Sequence, residues 1–168
     1  SDFLGNILLL DTINKFELLL LYMSYKGIYK PSNPKKYKGD QSNIIYRSLW
    51  ERKFMNYCDL NENILEWASE EFWIPYLDPT TNRVRRYFPD FFIKHKDKDN
   101  NIRRSVIEVK PLRETLQPKA TKGKSRKTMI NESMTYVKNQ AKWKAAREFC
   151  ADRKLEFKIM TEKELGIR

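Results

Sequence analysis

One stretch limits the folds open to this chain more than any other. From Tyr87 to Lys110 it reads YFPDFFIKHKDKDNNIRRSVIEVK. Two apolar runs rich in aromatic and β-branched residues flank a polar segment, the pattern of two strands joined by a turn. The first run is apolar on both faces, so it predicts a buried strand in which Asp90 is the lone charge. A buried carboxylate is costly unless it is partnered. The second run alternates, and side chains alternate across a strand. Val106, Glu108 and Lys110 therefore share one face, while Ile107 and Val109 face a core. Paired through a turn near Asp97–Asn101, the strands would set Asp90 roughly across from Arg104–Glu108.

Around this pair the other elements follow. Residues 44–59 predict a helix, with Trp50, Phe54, Tyr57 and Cys58 at helical spacing. A bent or interrupted strand is expected over about 64–77, then strands over about 83–94 and 102–110. A long helix over about 130–153 places Val137, Ala141, Ala145 and Phe149 near one face. A strand over 155–160 follows, then a short helix capped by Thr161 and Glu164. The fold class is α/β (α+β), with the order helix, three-stranded meander, helix, strand and a mixed sheet flanked by helices. The last strand reaches the sheet through the long helix as a crossover.

Three segments partition the chain. Residues 1–22 are a leucine-rich extension, interrupted by Asp11, Lys15 and Glu17. They suit an amphipathic helix better than a membrane span or a signal peptide; alternatively Met23 is the usual start. Residues 23–43 read as an extended basic arm, and residues 44–168 as the main domain.

The net charge of +11 favours an anionic partner, nucleic acid first, with an acidic membrane surface as the other option. Lys30, Lys35, Lys36 and Lys38 in the arm are candidate phosphate contacts, with Tyr25, Tyr29 and Tyr37 available for sugars or frayed bases. Lys119, Lys122, Lys124, Arg126 and Lys127, together with Arg113, make residues 112–128 a second basic segment, read as a mobile loop. The plainer alternative is that these lysines only keep the chain soluble. The two cysteines, Cys58 and Cys150, suit buried free thiols. The single histidine, His95, falls in a charged turn, which disfavours zinc-finger and histidine-dependent nuclease chemistry.

What remains for hydrolysis is carboxylates, lysine and a hard cation. Phosphodiester cleavage builds negative charge on the phosphoryl oxygens. Mg²⁺ between Asp90 and Glu108 would neutralise it and acidify a water, which Lys110 could orient or deprotonate. Glu51 is the best-placed acid on the first helix. The plainer alternatives are a cross-strand ion pair for Asp90, Glu108 and Lys110, and a capping box, Ser48-x-x-Glu51, for Glu51.

Pro89-Asp90 followed by Glu108-Val109-Lys110 resembles the PD-(D/E)xK signature of the restriction-endonuclease-like superfamily. Over about residues 24–166 the chain is similar to the head-completion nucleases of T-even-type tailed phages. The stretches that carry this are YKPSNPKKYKGD, YRSLWERKFMNYCD, RYFPDFFIK, VIEVKP and NQAKWKAAREFCADRKLEFKIMTEKEL. More distantly it is similar to the nuclease subunit of some two-part transposases.

The resemblance implies metal-binding roles for Glu51, Asp90 and Glu108, a catalytic role for Lys110, and Mg²⁺ as cofactor with Mn²⁺ able to substitute. Gln140 and Lys142 fall where related nucleases place a supporting polar residue, against the alternative of a solvated face. It further implies a DNA endonuclease, with exonuclease action also open to it. Such an enzyme would act on packaged DNA at the head portal, with portal and neck proteins as partners and no membrane. Its place would be the host cytoplasm during assembly, then the virion head or neck. The alternatives are a non-catalytic DNA- or portal-binding assembly protein, or a nuclease of a transposase or repair system.

Overall fold

A computed structural model describes residues 25–167. The leucine-rich residues 1–22 lie outside the described residues. Strands β1 (Gly27–Ile28) and β2 (Ile45–Tyr46) pair antiparallel. Helix α1 (Leu49–Leu60) follows, then β3 (Ile64–Ser69), β4 (Ile74–Asp78), β5 (Arg83–Tyr87), β6 (Phe91–Lys96) and β7 (Ile102–Val109). The short α2 (Leu112–Thr115), the long α3 (Arg126–Asp152) and β8 (Glu156–Met160) complete the chain.

The central sheet has the order β3-β6-β7-β8, antiparallel except for the parallel β7–β8 pair. This is the expected meander with the expected parallel addition after a long helix. The interruption expected in the first strand is present, and the second expected strand is broken in two as well. The run over 64–77 divides into β3 and β4, and the run over 83–94 into β5 and β6; β4 and β5 form a hairpin of their own. The breaks follow local chemistry. Pro89 lacks the N–H that would continue a ladder, and Glu70 adopts φ 52° at the end of β3, a left-handed conformation unusual outside glycine and asparagine. The two turns behave as their composition predicts. Asn82 and Asn100 supply the positive φ values of 53° and 64°, which asparagine tolerates.

The sheet is covered on both faces. Toward α1 it buries Trp67, Phe91, Ile93, Ile107 and Val109 against Trp50, Phe54, Met55 and Cys58. On the other face Ile74, Tyr76 and Tyr87 of the hairpin pack on Trp143 and Ala146 of α3. Burial on both sides accounts for strands that read as nearly continuous apolar runs.

Several local expectations change. Helix α1 starts at Leu49, because the Ser48 side chain accepts a hydrogen bond from the Glu51 amide and sets the N-cap there. Tyr57 is exposed. The buried stripe of α3 is Asn139, Trp143, Ala146 and Cys150; Val137 is exposed, and Ala141, Ala145 and Phe149 only border the packing. Large Trp143 defines the seam that small alanines obscured. Thr161 and Glu164 do bond through Glu164 Oε2, at 2.7 Å from the Thr161 amide, but the segment closes as turns without becoming a helix. His95 belongs to β6, where its Nε2 lies 3.0 Å from Ser105 Oγ. Both cysteines are free and buried.

The expected arm is docked. Asp59, fully buried near the end of α1, accepts from the amides of Ser32 (2.7 Å) and Asn33 (2.9 Å) and from the Tyr29 hydroxyl (3.0 Å). Tyr37 is in the core beside Trp67. Among the described residues no helix is long and apolar enough to cross a membrane.

Candidate active site

The end of β6 creates the site. In the β6–β7 register Phe91 pairs with Ile107, so Asp90 is the next residue outward, level with Glu108. Asp90 thus lies in the break before β6 and not within a strand. Its backbone carbonyl turns to the Glu70 amide. Its side chain takes over where the ladder stops: Asp90 Oδ2 accepts from the Val109 amide at 2.8 Å. On the other edge of β7, the Lys110 amide bonds to Met160 of β8. The residue keeps partial contact with solvent while its carboxylate lies among protein atoms.

Glu108 projects on the α3 side and is buried. Its Oε2 accepts from the Tyr87 hydroxyl at 2.5 Å, and its Oε1 lies 3.9 Å from Lys110 Nζ. Glu51 is also buried, and its Oε2 accepts from the Arg47 amide at 2.8 Å. The capping alternative is therefore realised. Ser48 and Glu51 both serve the helix start, with Glu51 reaching one residue further back than in the usual capping box.

The carboxylates feel one another. Burial raises Glu51 from 4.5 to about 7, and the charges of Glu70 and Glu108 add to it while the Arg47 bond opposes it. Burial also pushes Asp90 well above its ordinary value, reinforced by Glu108 and then Glu51 and opposed by Lys110. Glu108 rises through burial, with Lys110, the Tyr87 hydroxyl and Lys142 opposing. Each shift is in the direction of the neutral acid, and a nearby cation would act in the opposite direction. Yet among the described residues no three His, Cys, Asp or Glu side chains stand close enough to hold a metal ion. Protein donors currently engage one oxygen of each acid.

The structure brings Glu51, Asp90, Glu108 and Lys110 into one electrostatic neighbourhood and adds three groups. Tyr87, from the hairpin, holds Glu108. Glu70 contributes a fourth carboxylate, held by Arg47 through two bonds of 3.1 Å each. Lys142 of α3 reaches in between the rings of Tyr76 and Tyr87, 5.8 and 5.7 Å from their centroids. Burial lowers its pKa, with Glu108 opposing. Gln140 is half-buried on the same helix. Tyr87 carried no signal in the sequence beyond being an aromatic residue in a strand.

The basic residues separate. Lys30, Lys35, Lys38, Lys119, Lys122, Arg126 and Lys127 are exposed, although Lys38 lies 3.8 Å from Glu66. Arg126 and Lys127 form the first turn of α3 and do not belong to a loop. Lys124 bonds to Glu132 and to the Lys119 carbonyl, each at 2.8 Å, so its charge is spent inside the segment. Lys36 donates to the carbonyls of Asp59 (3.1 Å) and Asn61 (2.8 Å). It completes the C-terminus of α1 and is not a free phosphate contact. Tyr37 and Tyr29, bound inside, are not available for stacking; Tyr25 is exposed beside Tyr46.

Comparison with known proteins places the chain in a family. Residues 61–162 match the family model described as TnsA-like endonuclease N terminal. The chain belongs to that endonuclease family. The fold is accordingly restriction-endonuclease-like, a mixed sheet between helices. Over 143 residues it is also 38% identical to the head completion nuclease of Enterobacteria phage T4, covering 83% of this chain and 93% of the relative. The matched family segment contains Asp90, Glu108 and Lys110 and leaves out Glu51. Glu51, on the helix before the sheet, thus lies outside the part of the chain that the model matches.

Proposed function

We propose that this protein is a metal-dependent DNA nuclease of phage head completion, which trims packaged DNA at the portal before head and tail join. The observation that carries the chemistry is the meeting of Asp90, Glu108 and Lys110 where β6 ends, with Glu51 in the same field. The similarity to a head completion nuclease supports the pathway, with portal or neck proteins as partners and the host cytoplasm as the place of assembly. The acidic groups suit a hard dication by type, being all oxygen donors. Asp90, Glu108 and Glu51 would hold Mg²⁺, or Mn²⁺ in its place, each through the carboxylate oxygen that its present donor leaves open, once the side chains draw together. When bound, the ion supplies a positive charge beside the scissile phosphate and promotes ionisation of a nearby water.

The residues divide the remaining work. Lys110 places its ammonium beside Glu108, where it can orient the attacking water and offset charge growing on the phosphoryl oxygens. Tyr87 fixes the rotamer of Glu108. Lys142 adds positive potential behind both. The exposed lysines at 30, 35, 119, 122 and 127 supply the salt-dependent grip on phosphates.

Plasmid nicking tests the reading. The wild type should nick supercoiled DNA with Mg²⁺ and not with EDTA. Asp90→Ala and Lys110→Ala should each lose about a hundredfold or more, the scale seen when one stabilising group is removed. Full activity in the double variant would refute the assignment.

A further inference from the structure

The β4–β5 hairpin has two faces with different tasks. Its inner face, Ile74, Tyr76 and Tyr87, is buried against α3. Its outer face is built from the cross-strand pairs Pro75–Arg86 and Leu77–Val84. Leu77 and Val84 are 56% and 73% exposed, and at the hairpin's open end Trp73 and Phe88 are 45% and 46% exposed. Apolar and aromatic surface is thus left facing water on the element that enters the candidate active site.

The exposed charge of the hairpin itself has one sign. Asp78 is the only acidic residue between Trp73 and Phe88. It is buried, with Arg85 at 3.2 Å and Lys138 at 3.7 Å. Arg83 and Arg86 remain exposed. The Arg86 guanidinium lies over the Trp73 ring, 4.9 Å from its centroid. That leaves a half-exposed aromatic with a cation over one of its faces, suited to a partner that has both π-faces and negative charge.

The position narrows the partner further. Tyr87, whose hydroxyl holds Glu108, precedes Phe88, and Phe88 is two residues before Asp90. Phe88 therefore stands two residues from the acid that would meet a scissile phosphate, with Trp73 at the same open end of the hairpin. Intact duplex has its bases already stacked and offers the protein phosphates, for which lysines suffice. Exposed aromatic faces gain contact only with unpaired bases.

The geometry points to the outer face of this hairpin as a stacking platform for unpaired nucleotides beside the cleavage site. The substrate class is then DNA carrying a single-stranded segment, such as an end or a flap. This rests on the nuclease reading for the position of the cleavage site, but not for the binding itself.

Binding is therefore measured without cleavage, on the full chain carrying Asp90→Ala in EDTA. The probes are an oligothymidylate of about 16 nucleotides, the upper end of the site sizes that single-strand-binding OB folds cover, and a blunt duplex of equal length. The molecule has four tryptophans, and Trp50, Trp67 and Trp143 are buried at 5%, 0% and 1% exposure. Quenching of the intrinsic emission by oligothymidylate thus reports on Trp73.

The expected result is such quenching, and a loss of oligothymidylate affinity of about tenfold for each of Trp73→Leu and Phe88→Leu. Duplex affinity should stay within about threefold, since phosphate contacts are untouched. Arg86→Gln, which keeps both rings, should weaken oligothymidylate less than either. Equal losses for both DNAs, or no loss for oligothymidylate, would overturn the proposal. So would a concentration-dependent dimer abolished by Trp73→Leu, which would assign the face to a second copy. Nicking activity surviving in Asp90→Ala would refute the catalytic site instead, and leaves the binding comparison intact.

Discussion

Replacing Glu51 by Gln separates its two roles. The amide oxygen of Gln can still accept from the Arg47 amide, so the helix start keeps its bond. What disappears is the carboxylate charge. In the folded protein burial, then Glu70 and Glu108, hold Glu51 at about 7 against an ordinary 4.5. An acid whose pKa is raised on folding costs nothing below its unfolded value, because it is neutral in both states. As pH rises from about 4.5 to about 7 the unfolded chain releases the proton first, and stability falls. Above about 7 the loss is complete. At about 1.4 kcal/mol per pH unit, the gap between 4.5 and about 7 costs about 3 kcal/mol. Glu51→Gln should therefore unfold like the wild type near pH 4 and be more stable by about 3 kcal/mol near pH 8. For a chain of this size that is a rise in Tm of about 6–12 °C. Urea and thermal unfolding in EDTA at the two pH values measure it, and Mg²⁺-dependent nicking should fall in the same variant. Greater stability with lower activity marks a residue kept for function. Equal or reduced stability at pH 8 would refute the reasoning and leave Glu51 as a cap alone.

Three further outcomes follow from other parts of the molecule. Tyr87→Phe removes a donor that lowers the pKa of Glu108. The acidic limb of the pH–rate profile should move toward alkaline pH, because the hydrogen bond favours the charged form of Glu108; an unmoved limb would show that Glu108 does not need to ionise. Asp59→Ala strands the amides of Ser32 and Asn33 and removes the shorter bond of the Tyr29 hydroxyl. It should cost about 2–4 kcal/mol in urea unfolding and open residues 25–43 to proteolysis; an unchanged midpoint would mean the segment is not held by this acid. Lys122→Gln and Lys127→Gln should each lower the slope of log affinity against log salt by about one. Lys36→Gln should destabilise α1 and leave that slope alone, as titration of DNA binding at several salt concentrations will show.

How much of this was legible beforehand depended on how local the cause was. Asp90, Glu108 and Lys110 stood out because a charge in an apolar run and a shared strand face are properties of neighbouring residues. The Asn82 and Asn100 turns, the Ser48 cap and the two-faced burial of the sheet were readable for the same reason. An interruption over 64–77 was readable too, but not the break of 83–94 or the separate hairpin that the two outer pieces form. A residue such as Glu70 at positive φ has no compositional mark.

The sequence by itself therefore determined the element order, the basic character and the residue types available for hydrolysis. Only the tertiary structure decided how these groups are used. It turned Asp90 from a strand residue into the acid that takes over the Val109 amide where β6 stops. It sent Tyr87 to Glu108 across 21 residues of sequence, and bound Lys36, Tyr37 and Lys124 internally. The physical reason is common to all of them. Whether a charge or an aromatic ring meets solvent or another side chain depends on elements far away in the chain. Periodicity along the chain reports only which face a residue is on, not what stands opposite it.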